Sequence, residues 1–319
     1  MARGPFGIPG ISPVPPALPV NTEECFVEID GARMRYLRSG SGPALVLVHG
    51  LLGYSFSWRY VIPALSPHAT VYAVDLVGTG FSDRPANLDS RLQPSAERLL
   101  QFLRQVGVSS FDLLGTSHGG AVSIQAAAMI ARSSEFRLRR LILVAPVNPW
   151  SPHGRWLAPA IGSRFGAWLF LNALAAQPTT YPWALRRLYG DPARIPPGTL
   201  EGYAAPAAVP GFLQYGVKIA SHWTDLLREL ESTLPQITHY PTLLMWGERD
   251  RAVYASSAQA LRRQFRNCDL VVFPGIGHLP YEEAAADFNR ELIRFLNTQA
   301  PLPDLPTGPI VPASVIHSR

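Results

Sequence analysis

Leu113-Leu114-Gly115-Thr116-Ser117-His118-Gly119-Gly120 sets a G-x-S-x-G pattern between an apolar run, Phe111 to Leu114, and a small-residue stretch, Ala121 to Arg132. The run reads as a buried strand and the stretch as a helix, so the serine falls on a sharp strand-to-helix turn. A turn that tight brings neighbouring segments too close for side chains, which accounts for glycine at positions 115 and 119. It also lifts the hydroxyl above the sheet at a helix N-terminus. Without that strand and helix the pattern would mark an ordinary turn; between them it predicts that Ser117 is a nucleophile.

Further apolar runs lie on either side: Ala44 to Val48, Val71 to Val74, Leu141 to Val144, Thr242 to Trp246 and Leu270 to Phe273. They lack polar alternation, which suits strands covered on both faces, as in a parallel sheet. Helical stretches separate or follow them, among them Pro94 to Val106, Ser256 to Phe265 and Glu282 to Leu296. In the last, Ala285, Phe288, Leu292 and Phe295 recur at helical spacing. Ahead of them all, Asp30-Gly31 divides two extended segments, Cys25 to Ile29 and Ala32 to Leu37, and predicts a two-residue hairpin. The expectation is an α/β fold: a mostly parallel sheet, opened by an antiparallel pair and flanked by helices.

The alternation fails between residues 146 and 237. No strand is evident there, and Trp150, Trp156, Trp168, Trp183 and Trp223 accumulate among prolines and glycines. This stretch is expected to be an inserted helical cap over the strand ends, leaving residues 24–145 and 238–298 as the core. Its tryptophans suggest either an apolar substrate or simple packing of cap on core. Residues 1–23 carry six prolines and read as a flexible or polyproline-like arm rather than a signal peptide or membrane span. Residues 299–319 are again proline-rich and read as a poorly ordered tail.

A hydroxyl attacks poorly at neutral pH unless a base removes its proton. Of the eight histidines, His278 lies in Pro274-Gly275-Ile276-Gly277-His278-Leu279-Pro280, between the last strand and the last helix. Loops at the C-terminal ends of strands reach the ligand crevice of an open α/β sheet. The imidazole then needs a carboxylate to fix its tautomer. Asp250, in Trp246-Gly247-Glu248-Arg249-Asp250, follows another strand in the same way, with Glu248 as competitor. Donors for a developing oxyanion are expected from the backbone N–H groups of His118 and of Leu51, in the glycine-bearing loop His49 to Gly53.

Composition narrows the alternatives. Hydrophobic residues make up 47% of the 319 and charged residues 16%, enough apolar material to rule out global disorder. The net charge of +5 comes from dispersed arginines, with a short cluster at Arg137, Arg139 and Arg140, and no nucleic-acid motif accompanies it. Lys218 is the only lysine, so neither a phosphate-loop lysine nor a kinase lysine is available. Cys25 and Cys268 are isolated and form no metal or redox motif, which favours a reducing, cytoplasmic setting without excluding one bridge. No cofactor, metal or nucleic-acid partner is expected, only a small-molecule substrate.

His49 to Gly53, Asp75-Leu76-Val77-Gly78-Thr79-Gly80-Phe81-Ser82-Asp83, Gly115 to Gly120, Trp246 to Asp250 and Gly277-His278 together resemble the α/β-hydrolase superfamily over roughly residues 24 to 298. The resemblance is to the branch holding epoxide hydrolases, haloalkane dehalogenases, C–C bond hydrolases and haloperoxidase-like esterases. It implies the triad order Ser117, Asp250, His278 and makes Asp75 to Asp83 a structural turn. Epoxide hydrolases and haloalkane dehalogenases use a carboxylate nucleophile where this chain has Ser117, so acyl chemistry is expected instead. The leading expectation is carboxylic ester hydrolysis through an acyl-enzyme. The alternatives are C–C cleavage of a diketone-like substrate and a silent binding protein that kept the fold.

Overall fold

A computed structural model describes residues 14–151, 165–166 and 180–298. Most of the N-terminal arm, two stretches of the expected cap and the C-terminal tail lie outside these residues.

The chain opens on β1 (Thr22–Ile29) and β2 (Ala32–Ser39), paired antiparallel from Ile29↔Ala32 outward. Asp30 and Gly31 take φ values of 51° and 76°, the pair of left-handed residues that a type I′ hairpin needs. Six strands follow: β3 (Ala44–Val48), β4 (Thr70–Val74), β5 (Ser110–Thr116), β6 (Arg137–Val144), β7 (Thr242–Gly247) and β8 (Cys268–Phe273). Each grows from one of the apolar runs read in the sequence. They form one eight-stranded sheet in the order β1-β2-β4-β3-β5-β6-β7-β8, parallel from β4 to β8. The strand that ends on Ser117 therefore lies inside the sheet, with β7 and β8 beyond β6 on one side.

The inner strands β3, β4, β5 and β7 are buried on both faces, which is why they are apolar on alternate and intervening positions alike, whereas the edge strands β1 and β8 keep exposed positions. Helices α2 (Leu92–Gln105) and α3 (Ser117–Ala131) cover one face, where Phe102, Ile124 and Leu143 are fully buried. On the other, α1 (Ile62–Leu65) packs with the C-terminal helix around Leu47, Ile142 and Phe288. Arg139 and Arg140 both turn onto Asp112, at 2.6 and 3.3 Å, so most of the basic cluster is engaged within the chain. Cys25 and Cys268 are both free and stand on the two edge strands, so no bridge joins them.

Among the described residues the region between β6 and β7 is helical: α4 (Thr180–Leu188), α5 (Thr199–Ala204), α6 (Phe212–Ser221) and α7 (Trp223–Thr233), joined by short 3-10 turns. It rests on the core through polar and apolar contacts, with the Tyr54 hydroxyl donating to Gly202 O at 2.6 Å. Trp150 and Trp183 are exposed, the latter under the Arg187 guanidinium, so these two indoles carry no argument for an apolar substrate. Pro15 to Pro19 lie along Tyr54, Phe56 and Arg59, with Leu18 packed on the core, so this part of the arm is seated.

Two helices depart from expectation. The stretch from Ser256 resolves into a 3-10 turn and a short helix, α8 (Ala258–Arg262). The last one is broken: α9 (Pro280–Glu283) stops and α10 (Ala285–Asn297) restarts across Ala284, whose φ and ψ of −134° and 45° are not helical. The apolar stripe was readable because Phe288, Leu292 and Phe295 all lie beyond the break and face the core. The break itself separates two glutamates, Glu282 and Glu283, from the rest of the helix and leaves both carboxylates inside the protein. No described helix is long and apolar enough to cross a membrane.

Candidate active site

Ser117 stands where β5 ends and α3 begins, with φ at 53°. A non-glycine residue in this region is held there by its surroundings, and such strain collects at functional turns. The close approach that enforces it is visible at Gly119. A methyl group there would collide with His49 O and sit 2.5 Å from Val48 O, so α3 enters directly against the end of β3. Ser117 O accepts from Val147 N at 3.0 Å, which ties the turn to the chain leaving β6. The side chain remains partly exposed while its neighbours on either side are buried.

The loop after β3 passes beside the hydroxyl. A methyl group built on Gly50 would lie 3.0 Å from Ser117 Cβ and 3.6 Å from Oγ, which places Leu51 next to the nucleophile position. The loop is held from behind by His49. Its Nδ1 donates to Gly50 O at 2.8 Å, and its Nε2 accepts from Leu76 N at 3.2 Å and meets Thr79 Oγ1 at 2.9 Å. Burial lowers the His49 pKa, which keeps the ring neutral and able to accept. Asp75 anchors the adjoining turn, accepting from Ser55 N, Phe81 N and Arg35 Nη1.

Asp250 follows β7 and His278 follows β8. The two meet at 2.7 Å, Nδ1 to Oδ2, with each residue 4% exposed. The second carboxylate oxygen, Oδ1, accepts from Ala252 N at 2.7 Å and Val253 N at 2.9 Å. Those donors fix the rotation of the carboxylate and so the edge it offers the ring. Glu248 lies elsewhere, exposed and accepting from Gly275 N at 2.8 Å. Ser117, Asp250 and His278 thus gather at the C-terminal edge of one parallel sheet, although among the described residues no hydrogen bond joins the serine hydroxyl to the imidazole. Contacts between base and nucleophile commonly tighten only when substrate is present.

The His118 side chain is 3% exposed, its Nε2 has no hydrogen-bond partner among the described residues, and burial pushes its pKa down to about 4. It borders a cavity of about 10 Å³ shared with His49, Thr79, Arg98, Tyr215 and Ile219, room for about one water.

A polar cluster next to His278 has no counterpart in the sequence reading. Glu282 accepts from Arg59 at 2.8 and 2.9 Å, from the Tyr189 hydroxyl at 2.5 Å and from the Tyr203 hydroxyl. Burial and the neighbouring carboxylate push both phenols up, so they stay protonated donors. Glu283 accepts from the backbone N–H groups of Gly190, Asp191 and Gly277. Sequence could not show this, because the partners come from distant parts of the chain: Arg59 before α1, Gly277 after β8, and residues 189–203 between β6 and β7. Two acids at the start of a helix otherwise look like ordinary dipole complementarity.

The fold and the strand-borne site define an α/β hydrolase, and the chain belongs to the alpha/beta hydrolase fold family, whose model matches residues 43–285. Among its relatives is the dihydrolipoyllysine-residue acetyltransferase component of the acetoin cleaving system of Pseudomonas putida, 28% identical over 84% of this chain and 68% of that one. The 2-hydroxy-6-oxo-2,4-heptadienoate hydrolase of the same organism is 27% identical over 81% of this chain and 89% of its own. Of solved structures, a bacterial membrane phospholipase A superposes with a TM-score of 0.71 at 26% identity, covering 86% of each chain.

Proposed function

We propose that the protein is a serine hydrolase that cleaves a small carboxylic ester through an acyl-enzyme. The observation that carries this is the buried Asp250–His278 pair, set at the same sheet edge as a serine held in left-handed backbone. Asp250 keeps the imidazole proton on Nδ1, so Nε2 is the nitrogen free to take the Ser117 proton as the hydroxyl attacks the ester carbonyl. The Leu51 and His118 amides receive the oxyanion, and collapse of the tetrahedral species expels the alcohol with a proton returned by His278. Water, deprotonated by the same nitrogen, then releases the acid.

A second reading is C–C cleavage, favoured by the relative named as a heptadienoate hydrolase. Both readings need an activated Ser117, and a silent fold does not. Purified protein should therefore react with a fluorophosphonate probe, and Ser117→Ala and His278→Ala should not. A folded wild type that fails to label would refute the proposal. A panel of esters against a vinylogous diketone then separates the two reactions.

A further inference from the structure

Glu283 places a carboxyl group where nothing in the proposed chemistry uses one. Its carboxylate is fully buried, and the nearest cation, Arg194 Nη1, is 3.8 Å away and half exposed. The principal partners are three backbone amides. Oε2 accepts from Gly190 N and Gly277 N, both at 2.8 Å, and Oε1 accepts from Asp191 N at 2.9 Å. Two of the amides belong to the segment leaving α4 in the cap. The third belongs to the residue immediately before His278. A further bond runs beside them, from His278 N to Leu188 O at 2.6 Å.

Charged acceptors make stronger hydrogen bonds than neutral ones, and backbone donors cannot swing away as side chains can. A buried carboxylate is also costly to leave without its partners, so the three amides are held as a set. The His278 ring is fixed on its Nδ1 side by Asp250. Its backbone is held directly by Leu188 O and, one residue earlier at Gly277, through Glu283 to Gly190 and Asp191 of the cap.

We propose that Glu283 is a positioning residue for His278: it clamps the histidine loop to the cap segment Leu188–Asp191, so that seating this segment and placing the imidazole are one event. The inference rests on the triad reading above. Glutamine at 283 keeps the volume but replaces one oxygen with an NH₂ group, leaving at least one amide facing a donor.

The test compares wild type with Glu283→Gln at a temperature where circular dichroism shows both folded. The expected result is a fall in kcat on the order of 10- to 100-fold, the size that small misplacements of a catalytic group produce, with KM changed far less. The downfield proton resonance of the His278 Nδ1–H should shift or broaden, which a remote loss of stability would not cause. A folded variant with wild-type kcat and an unmoved resonance would overturn the clamp. Should the variant not fold, hydrogen exchange on the wild type decides: the amides of Gly190, Asp191, Gly277 and His278 should open as one unit, and independent rates would overturn the proposal. Fluorophosphonate labelling of the wild type keeps the two readings apart. If it fails, the triad reading falls, while resonance and exchange still judge the clamp.

Discussion

Asp250→Asn is the substitution whose outcome the structure specifies most closely. In the wild type Oδ1 faces two N–H groups, from Ala252 and Val253, and Oδ2 faces His278 Nδ1. An asparagine must choose which end carries its oxygen. Turning the NH₂ toward the two amides would leave both buried donors unpartnered, at about 1–3 kcal/mol each. The oxygen therefore stays in the Oδ1 position and the NH₂ meets the imidazole. Nδ1 then has to accept, the ring proton moves to Nε2, and the nitrogen facing Ser117 can no longer take a proton. The corresponding change in a well-characterised serine protease lowers kcat by about 10⁴, roughly 5 kcal/mol of transition-state stabilisation. We expect a fall of about 10³ to 10⁴ in kcat/KM for ester hydrolysis, with the melting temperature close to wild type. Mass spectrometry should accompany the assay, because deamidation would regenerate aspartate. A folded, chemically intact Asp250→Asn variant with kcat/KM close to wild type would refute the tautomer argument and with it the role assigned to Asp250.

Two further outcomes follow from the same elements. Gly119→Ala drives a methyl group onto the carbonyls of His49 and Val48, neither of which can move without shifting β3; it should cost on the order of 3 kcal/mol in denaturant titrations, and a loss under about 1 kcal/mol would contradict the packing. His118 is held neutral by burial, with its pKa near 4 against 6.5 in an unfolded chain. The unfolded state binds the proton first as pH falls. The stability this group supports is complete above about pH 6.5 and lost toward pH 4, a difference on the order of 3 kcal/mol. His118→Met should flatten that acid limb, leaving the slope due to His49, and an unchanged limb would show that His118 is not its source.

Sequence made legible those features whose causes are local. The strand-to-helix turn at Ser117 needs only a strand, two close-approach glycines and a helix, all within a short window, and Asp30-Gly31 specifies its hairpin in the same way. The inner strand runs were visible because positions covered on both faces leave little room for polar residues. Polar contacts made at long range were not visible. Arg59, Tyr189 and Tyr203 converge on Glu282 from three separate parts of the chain, and no spacing rule links them. The break at Ala284 was missed for a related reason: the apolar stripe lies wholly beyond it, so nothing in the spacing marks the interruption, and only the tertiary partners of Glu282 and Glu283 distinguish the two pieces. Tryptophan number in the cap suggested a lining, but the exposure of Trp150 and Trp183 depends on orientation, which composition does not encode.

In the proposed mechanism the strand order also sets when the protein becomes chemically competent during synthesis. Ser117 emerges with β5, long before β7 and β8 bring Asp250 and His278. Until then β6 is an uncovered edge whose free N–H and C=O groups invite pairing with other chains. A ribosome-bound or truncated chain that ends before β7 lacks Asp250 and His278, so on the proposed mechanism its Ser117 has no base and cannot acylate. Turnover starts only once the edge is closed, so the appearance of a fluorophosphonate-reactive serine would time the docking of the last two strands.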